Sequence, residues 1–229
     1  MIIIICIILL FIINLFFLKI FSVVASGQNK DKSINVEKNK SNKKRSLFNK
    51  IKSFLYCYYQ LNLLIFGNIP SYSLRYFFYK YICNVQIGKG TKIRMNVEIL
   101  CPWNVKIGDN CFIGKNCILD GRFGITIEDN VNMSDYSAIW TMQHDTDDPD
   151  FGCEGQCGNV VIGKRVWLCF RSIIMPKVKI GEGAVIAAAA VATKDCDEFG
   201  VYAGIPARKI KERNNNINYK LDINQMHFG

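Results

Sequence analysis

The stretch IGKRVWLCFRSIIMPKVKIGEGAVIAAAAVATKDC, residues 162–196, decides the fold. Ile162, Leu168, Ile174, Ile180, Ile186 and Ala192 recur in it at a step of six. A small or aliphatic residue follows each of them by four: Val166, Ser172, Val178, Ala184, Ala190 and Cys196. An amphipathic helix repeats at about 3.6 residues and a half-buried strand at about two, so neither fits. A step of six fits a three-sided parallel β-helix, in which three hexads of about 18 residues make one coil. The same step runs earlier through Ile87, Ile93, Ile99 and Val105, restarts two residues on at Ile107, Ile113, Leu119 and Ile125, and restarts again at Ile127, Met133 and Ile139. The added residues at Val105–Lys106 and Ile125–Thr126 predict one longer strand per coil. Corners are supplied by units such as Ile107-Gly108-Asp109-Asn110-Cys111, where glycine and Asp-Asn suit tight turns. Between the two ladders, Trp140 to Val161 is polar and glycine-rich and carries His144. The pattern predicts a rigid scaffold holding out one loop.

The rest of the chain is uneven in charge. Of the formal net charge of +10, Gly27 to Lys52 carries +7 and Lys19 one more, leaving +2 for Ser53 to Gly229. Basicity is therefore a property of one linker, and no nucleic-acid surface is expected on the domain. Residues 1–26 read as a transmembrane anchor, because an apolar run of about 25 residues can cross a bilayer at 1.5 Å per residue. The absence of a basic leading segment argues against a cleaved signal peptide. The basic segment that follows places the rest of the chain on the cytoplasmic side, with a soluble cytoplasmic protein as the alternative. Residues 27–46 read as a disordered basic linker, and residues 47–83 as an aromatic-rich helical cap broken at Gly67–Pro70, with Ser71 capping its second helix. The β-helix occupies 84–211 and a polar tail 212–229. Cys111, Cys117 and Cys196 fall on the small inward rung, as small hydrophobes, and reduced thiols are expected. Cys153 and Cys157 make a pair too small for a metal site, which wants about four ligands, so no metal is expected.

Several runs resemble the left-handed β-helix, hexapeptide-repeat acyltransferases, in the branch holding galactoside, maltose and exopolysaccharide O-acetyltransferases. They are Ile125-Thr126-Ile127-Glu128-Asp129-Asn130-Val131, Gln143-His144-Asp145, Val160 to Trp167, Ile180 to Ile186, Thr193-Lys194-Asp195 and Ala203-Gly204-Ile205-Pro206-Ala207-Arg208. The resemblance spans Ser71 to about Lys211. It alone implies the left-handed sense, since general crossover statistics favour right-handed turns. The fold expected is thus all-β, a left-handed parallel β-helix of hexapeptide repeats behind N-terminal helices. The activity implied is transfer of an acetyl group from acetyl-CoA to a hydroxyl of a sugar or glycolipid acceptor. Alternatives are an N-acetyltransferase on an amino or nucleotide sugar and a catalytically degenerate scaffold.

The chemistry needs a base for the acceptor hydroxyl, and imidazole is the side chain suited to it. Of the two histidines, His227 falls in the tail. His144, seventeen residues after Ile127, matches the family's catalytic histidine. Its second nitrogen needs a carboxylate or a backbone carbonyl to orient it, and Asp145 is the candidate carboxylate. On the donor side the resemblance carries over Trp167, Phe170, Ala188, Thr193, Lys194, Arg208 and Lys211. Asp120 is the candidate contact to a sugar hydroxyl. The chain departs from the family at Cys169, Lys177, Ala187 and Ala189, where glycine is usual, and at Ala190, where serine is usual. Such side chains would narrow the coenzyme groove. Gly114 stands where galactoside enzymes have asparagine, which argues against a simple galactoside acceptor. The resemblance also implies a homotrimer with grooves between subunits.

Overall fold

A computed structural model describes residues 2–28, 43–153 and 155–221. The rungs of the ladder become three sheets. Sheet A holds Gln86–Ile87, Val105–Ile107, Ile125–Ile127, Val160–Ile162 and Lys179–Ile180. Sheet B holds Lys92–Ile93, Phe112–Ile113, Asn132–Met133, Trp167–Leu168, Val185–Ile186 and Gly200–Ala203, and ends on the antiparallel strand Arg208–Glu212. Sheet C holds Glu98–Leu100, Ile118–Asp120, Ala138–Ile139, Ile173–Ile174 and Val191–Ala192. The chain visits A, B and C in turn, and successive coils pair in parallel. The rungs of the ladder point inward, each at most 4% exposed. Of the residues four further on in the upper ladder, Val166, Val178, Ala184, Ala190 and Cys196 are equally inward. The polar member of that series, Ser172, is buried too, and its hydroxyl donates to Ser137 Oγ at 3.3 Å. An isolated coil could bury none of this surface, so each coil is stable only through its neighbours.

The register gives the coil lengths. Gln86 pairs with Lys106 and Lys106 with Thr126, a step of 20 residues. Thr126 pairs with Val161, a step of 35, and Val161 with Lys179, a step of 18. The two residues added to the early coils do lengthen their strands to three. They also build 3-10 turns at Pro102–Asn104 and Gly121–Phe123, in the corner between sheets C and A. At the corners one residue takes a left-handed conformation. Asparagine fills that place at Asn96, Asn110, Asn116 and Asn130, where its short polar side chain tolerates φ of +52° to +59°. Higher up the same place is taken by Arg165, Arg171, Lys177 and Ala189.

Helices close the first end. Helix α1 (Ile2–Gln28) and helix α2 (Lys43–Gly67) run antiparallel, and helix α3 (Tyr72–Phe77) continues into a π-turn at Phe78–Ile82. Ser71 caps α3, accepting from the Leu74 N–H as expected. Arg75 reaches under the first coil, donating from Nε to the Ile93 carbonyl at 3.0 Å and from Nη1 to the Ile69 carbonyl. Two boundaries differ from the sequence reading: α1 extends to Gln28, and α2 begins at Lys43, ahead of residue 47. Most of the expected linker lies outside the described residues. By length and composition α1 could cross a membrane over Cys6–Gly27, with little of that span buried.

The other end is closed by a strap. After Arg208–Glu212 the chain turns down the corner between sheets A and B. Arg213 donates to the carbonyls of Arg165 and Gly183 at 3.2 and 2.9 Å, and the Tyr219 hydroxyl donates to the Arg165 carbonyl at 2.9 Å. Residues 213–221, the described part of the polar tail, pack against the coils through these contacts. His227 lies outside the described residues.

Candidate active site

The 35-residue step between Thr126 and Val161 is where the loop of residues 140–159 leaves the prism. It emerges from the corner between sheets C and A. Thr141 fixes its root: its backbone N–H donates to Asp120 Oδ2 at 3.1 Å, and its hydroxyl donates to the Asp120 carbonyl at 2.7 Å. The return is fixed by Gly158 N–H to the Thr141 carbonyl at 3.0 Å and Val160 N–H to the Gly124 carbonyl at 3.2 Å. Asp145 N–H donates to the Gly152 carbonyl at 2.8 Å, closing an inner turn.

His144 sits exposed at the foot of that inner turn. Its Nδ1 lies 2.6 Å from the Phe151 carbonyl oxygen. A carbonyl only accepts, so Nδ1 carries the proton and Nε2 is left with its lone pair free. The Phe151 ring stacks on the imidazole at 3.9 Å between centroids and 14° between planes. Phe151 adopts a left-handed φ of +54°, uncommon for an aromatic residue, and that conformation belongs to the turn presenting its carbonyl. The orienting group is therefore a backbone carbonyl. Asp145, the candidate carboxylate, does not fill the role: its Oδ1 accepts from the Asp147 N–H at 3.0 Å in a local turn.

Asp120 is a second correction. It is fully buried, and the Arg122 guanidinium grips it through Nε to Oδ1 at 2.8 Å and Nη2 to Oδ2 at 3.0 Å. Burial pushes its carboxyl upward, but the hydrogen bonds from Arg122 and from the Thr141 and Arg122 N–H groups outweigh burial and hold it below the usual range. With its oxygens engaged, it holds the loop root and has no face left for a sugar.

The donor-side residues fall in several places. Trp167 is 43% exposed on sheet B, with Nε1 donating to Ser134 Oγ at 3.1 Å. On the same line across that sheet, Trp167 pairs with Val185, Val185 with Val201 and Val201 with Lys211. Phe170 and Ala188 occupy the corner between sheets B and C, where Phe170 meets Tyr136 edge-on at 5.6 Å and Arg171 lies 5.1 Å over its ring. Thr193 and Lys194 lie in the corner between sheets C and A, on the loop's side. Arg208 opens the terminal strand opposite Ala203. Of the alanines standing where glycine is usual, Ala189 is exposed and Ala187 half-buried, and Ala188 between them is exposed. Tyr136, Arg171 and Phe151 were absent from the sequence reading. Only the aromatic character of Tyr136 and Phe151 in exposed turns could have marked them. Among the described residues no cluster of three potential metal ligands occurs.

A three-sided β-helix of hexads, with one histidine-bearing loop and an exposed aromatic strip, defines the class: a hexapeptide-repeat transferase. Residues 104–132 match the family described as hexapeptide repeat of succinyl-transferase. A candidate colanic acid biosynthesis acetyltransferase of Escherichia coli K12 is 33% identical over 128 residues, 56% of this chain and 69% of that protein. The match to the chloramphenicol acetyltransferase of Klebsiella aerogenes, also 33% identical, takes in 47% of this chain and 50% of that protein's length. Among solved structures, a maltose O-acetyltransferase from Clostridium difficile 630 superposes with a TM-score of 0.62 at 30% identity, over 69% of this chain and 86% of that one. A hexapeptide-repeat acetyltransferase from Vibrio cholerae, solved with acetyl coenzyme A, gives 0.61 at 25% identity, over 67% and 85%. The chain belongs to the hexapeptide-repeat acetyltransferases.

Proposed function

We propose that the protein transfers an acetyl group from acetyl-CoA to a hydroxyl of a sugar in polysaccharide or glycolipid assembly, with His144 as general base. One observation carries this reading: the Phe151 carbonyl holds Nδ1 in its protonated form and leaves Nε2 open to solvent. Nε2 takes the acceptor hydroxyl's proton as the oxygen attacks the thioester carbonyl, and returns it to the departing thiol. The Nδ1–H···O=C bond keeps the ring in place while it is charged. Acetyl-CoA supplies the activated acyl group. Trp167, Phe170 and Ala188 offer an apolar strip for its arm, and Thr193, Lys194, Arg208 and Lys211 offer hydroxyl and cationic groups for its phosphates.

Within one chain His144 leaves the corner opposite sheet B, which bears Trp167. A site using both needs two subunits, which supports the homotrimer. The apolar α1 supports attachment to a membrane, with the catalytic domain on the cytoplasmic side and a lipid-linked acceptor as the fitting substrate.

The test is coenzyme A release by purified protein given acetyl-CoA and a panel of hydroxyl and amine sugar acceptors. A hydroxyl acceptor should be turned over, and His144→Ala should lower kcat by about 10²–10⁴-fold. Trp167→Ala should raise KM for acetyl-CoA by about 3–10-fold, the loss of one aromatic contact. Near-normal turnover by His144→Ala would sink the mechanism. Turnover of amines alone would move the protein to N-acetylation.

A further inference from the structure

We propose that α1 does not cross the bilayer but lies in its surface plane, clamped to the enzyme, with its exposed apolar side chains facing an anionic phospholipid membrane. This rests on the membrane attachment proposed above and concerns its geometry. Here α1 is docked through side chains between Phe11 and Ser22. Phe11 meets Phe66 at 5.9 Å, Phe17 meets Tyr58 at 5.7 Å and Phe21 meets Tyr59 at 4.9 Å between ring centroids. The polar residues that interrupt the apolar run face the enzyme. Asn14 donates to Asn62 Oδ1 at 2.9 Å and accepts from the Tyr58 hydroxyl at 2.8 Å, and Lys19 Nζ donates to Asn84 Oδ1. Leu18 and Ser22 are fully buried on the same side.

These contacts fix the depth of the β-helix relative to α1. Phe21 also meets Trp103, in the first 3-10 turn, at 6.3 Å. Were Cys6–Gly27 the span, Lys19 and Phe21 would lie about 9–12 Å below its Gly27 end, at 1.5 Å per residue. Asn84 and Trp103 would go down with them. The turns of the first coil would then sit in hydrocarbon, where irregular backbone has no water to satisfy it. Lying in the plane removes the conflict. The residues of α1 ahead of Phe11 measure only about 15 Å, too short to cross alone.

The outward face fits that placement. Leu9, Ile13, Phe16, Ile20 and Val24 follow one another at steps of three or four and are 47–68% exposed on the side away from the clamp, and over residues 7–13, ahead of Asn14, the helix is exposed and apolar all round. In sequence, residues 29–52 after α1 carry nine basic and two acidic side chains, a net charge of +7. A cationic stretch next in sequence to an exposed apolar helix suits the headgroup layer of an anionic membrane.

The test uses the full chain with one epitope tag at each terminus, in sealed membrane vesicles prepared from expressing cells. Vesicles whose C-terminal tag is open to added protease are scored for the N-terminal tag. A helix in the plane leaves both tags on one side, so both are expected to be lost. Protection of the N-terminal tag while the C-terminal tag is cleaved overturns the proposal and leaves attachment standing. Failure of the protein to float with vesicles removes the attachment itself. If such a soluble form is a higher oligomer with α1 protected from protease, a second copy covers the exposed apolar side chains, and the proposal falls with the attachment.

Discussion

Asp120→Asn separates a carboxylate that builds the site from one that binds a sugar. In the wild type the buried carboxylate takes two hydrogen bonds from the Arg122 guanidinium, at 2.8 and 3.0 Å, and one from the Thr141 N–H at 3.1 Å. The amide keeps one acceptor oxygen, but its NH₂ group faces Arg122, donor against donor, and the charge is gone. Hydrogen bonds to charged groups contribute about 1.5–3 kcal/mol each. Breaking a fully buried pair costs about 3–5 kcal/mol. The Arg122 side chain is 36% exposed and regains water, so the loss should fall near 2–3 kcal/mol, or roughly 1 M in the urea midpoint at fixed protein concentration. The sign with pH follows from the lowered carboxyl. Its contribution is complete above the ordinary aspartate value of about 4 and disappears as pH falls through the lower folded value. The gap between wild type and variant should therefore be full at neutral pH and narrow below about pH 4. A neutral-pH midpoint equal to that of wild type, or a gap that does not change in acid, would refute the reasoning. A raised acceptor KM with unchanged stability would return Asp120 to the sugar.

Phe151→Ala keeps the carbonyl that holds His144 but removes the stacked ring at 3.9 Å. It should lower kcat by about 3–10-fold, the loss of one aromatic contact, with the acetyl-CoA KM unchanged in steady-state assays. Ala189 sits at φ +57° with its side chain exposed, so Ala189→Gly should raise stability by about 0.5–1 kcal/mol in a urea titration, left-handed strain relieved less the added chain entropy. Burial pushes the Cys111 thiol up to about 11 and the Cys117 thiol up to about 12, so both should resist alkylation at neutral pH until urea unfolds the chain. Mass spectrometry after brief labelling reads this directly, and rapid native labelling of either would contradict the burial.

The scaffold was legible because hexad spacing has one geometric solution, and its inward rungs could be named residue by residue. Even the two-residue insertions were visible, although their 3-10 turns at Pro102–Asn104 and Gly121–Phe123 were not. His144 was marked as the candidate base by resemblance and by its place in the interruption. Its orienting partner was not, because a backbone carbonyl leaves no mark on residue identity, and a neighbouring aspartate is the natural wrong guess. Asp120 misled for a related reason. A carboxylate near a loop suggests a ligand, and only the fold shows that Arg122, two residues on, claims it. The C-terminal strap was hidden by its polarity: its hold on the coils runs through Arg213 and Tyr219 to carbonyls, with little apolar burial.

The position of the loop along the solenoid connects the two proposals. Coils stack at about 4.8 Å, the spacing of paired strands. The helices close the end nearest Gln86–Ile87, and the loop leaves the third coil, two strand spacings higher. A base lying flat on lipid would thus hold the root of the His144 loop about 10 Å above the first coil. The headgroups would be out of direct reach of Nε2, and a sugar carried on a lipid would come level with it. In a trimer the threefold axis would then stand along the membrane normal, because only that arrangement sets three in-plane helices on one bilayer face. A loop at that fixed height selects its acceptor partly by how far the sugar stands from its lipid, before any hydrogen bond to the sugar is made. That gives a physical role to a rigid solenoid clamped to its apolar helix, which a flexible tether between anchor and enzyme could not fill.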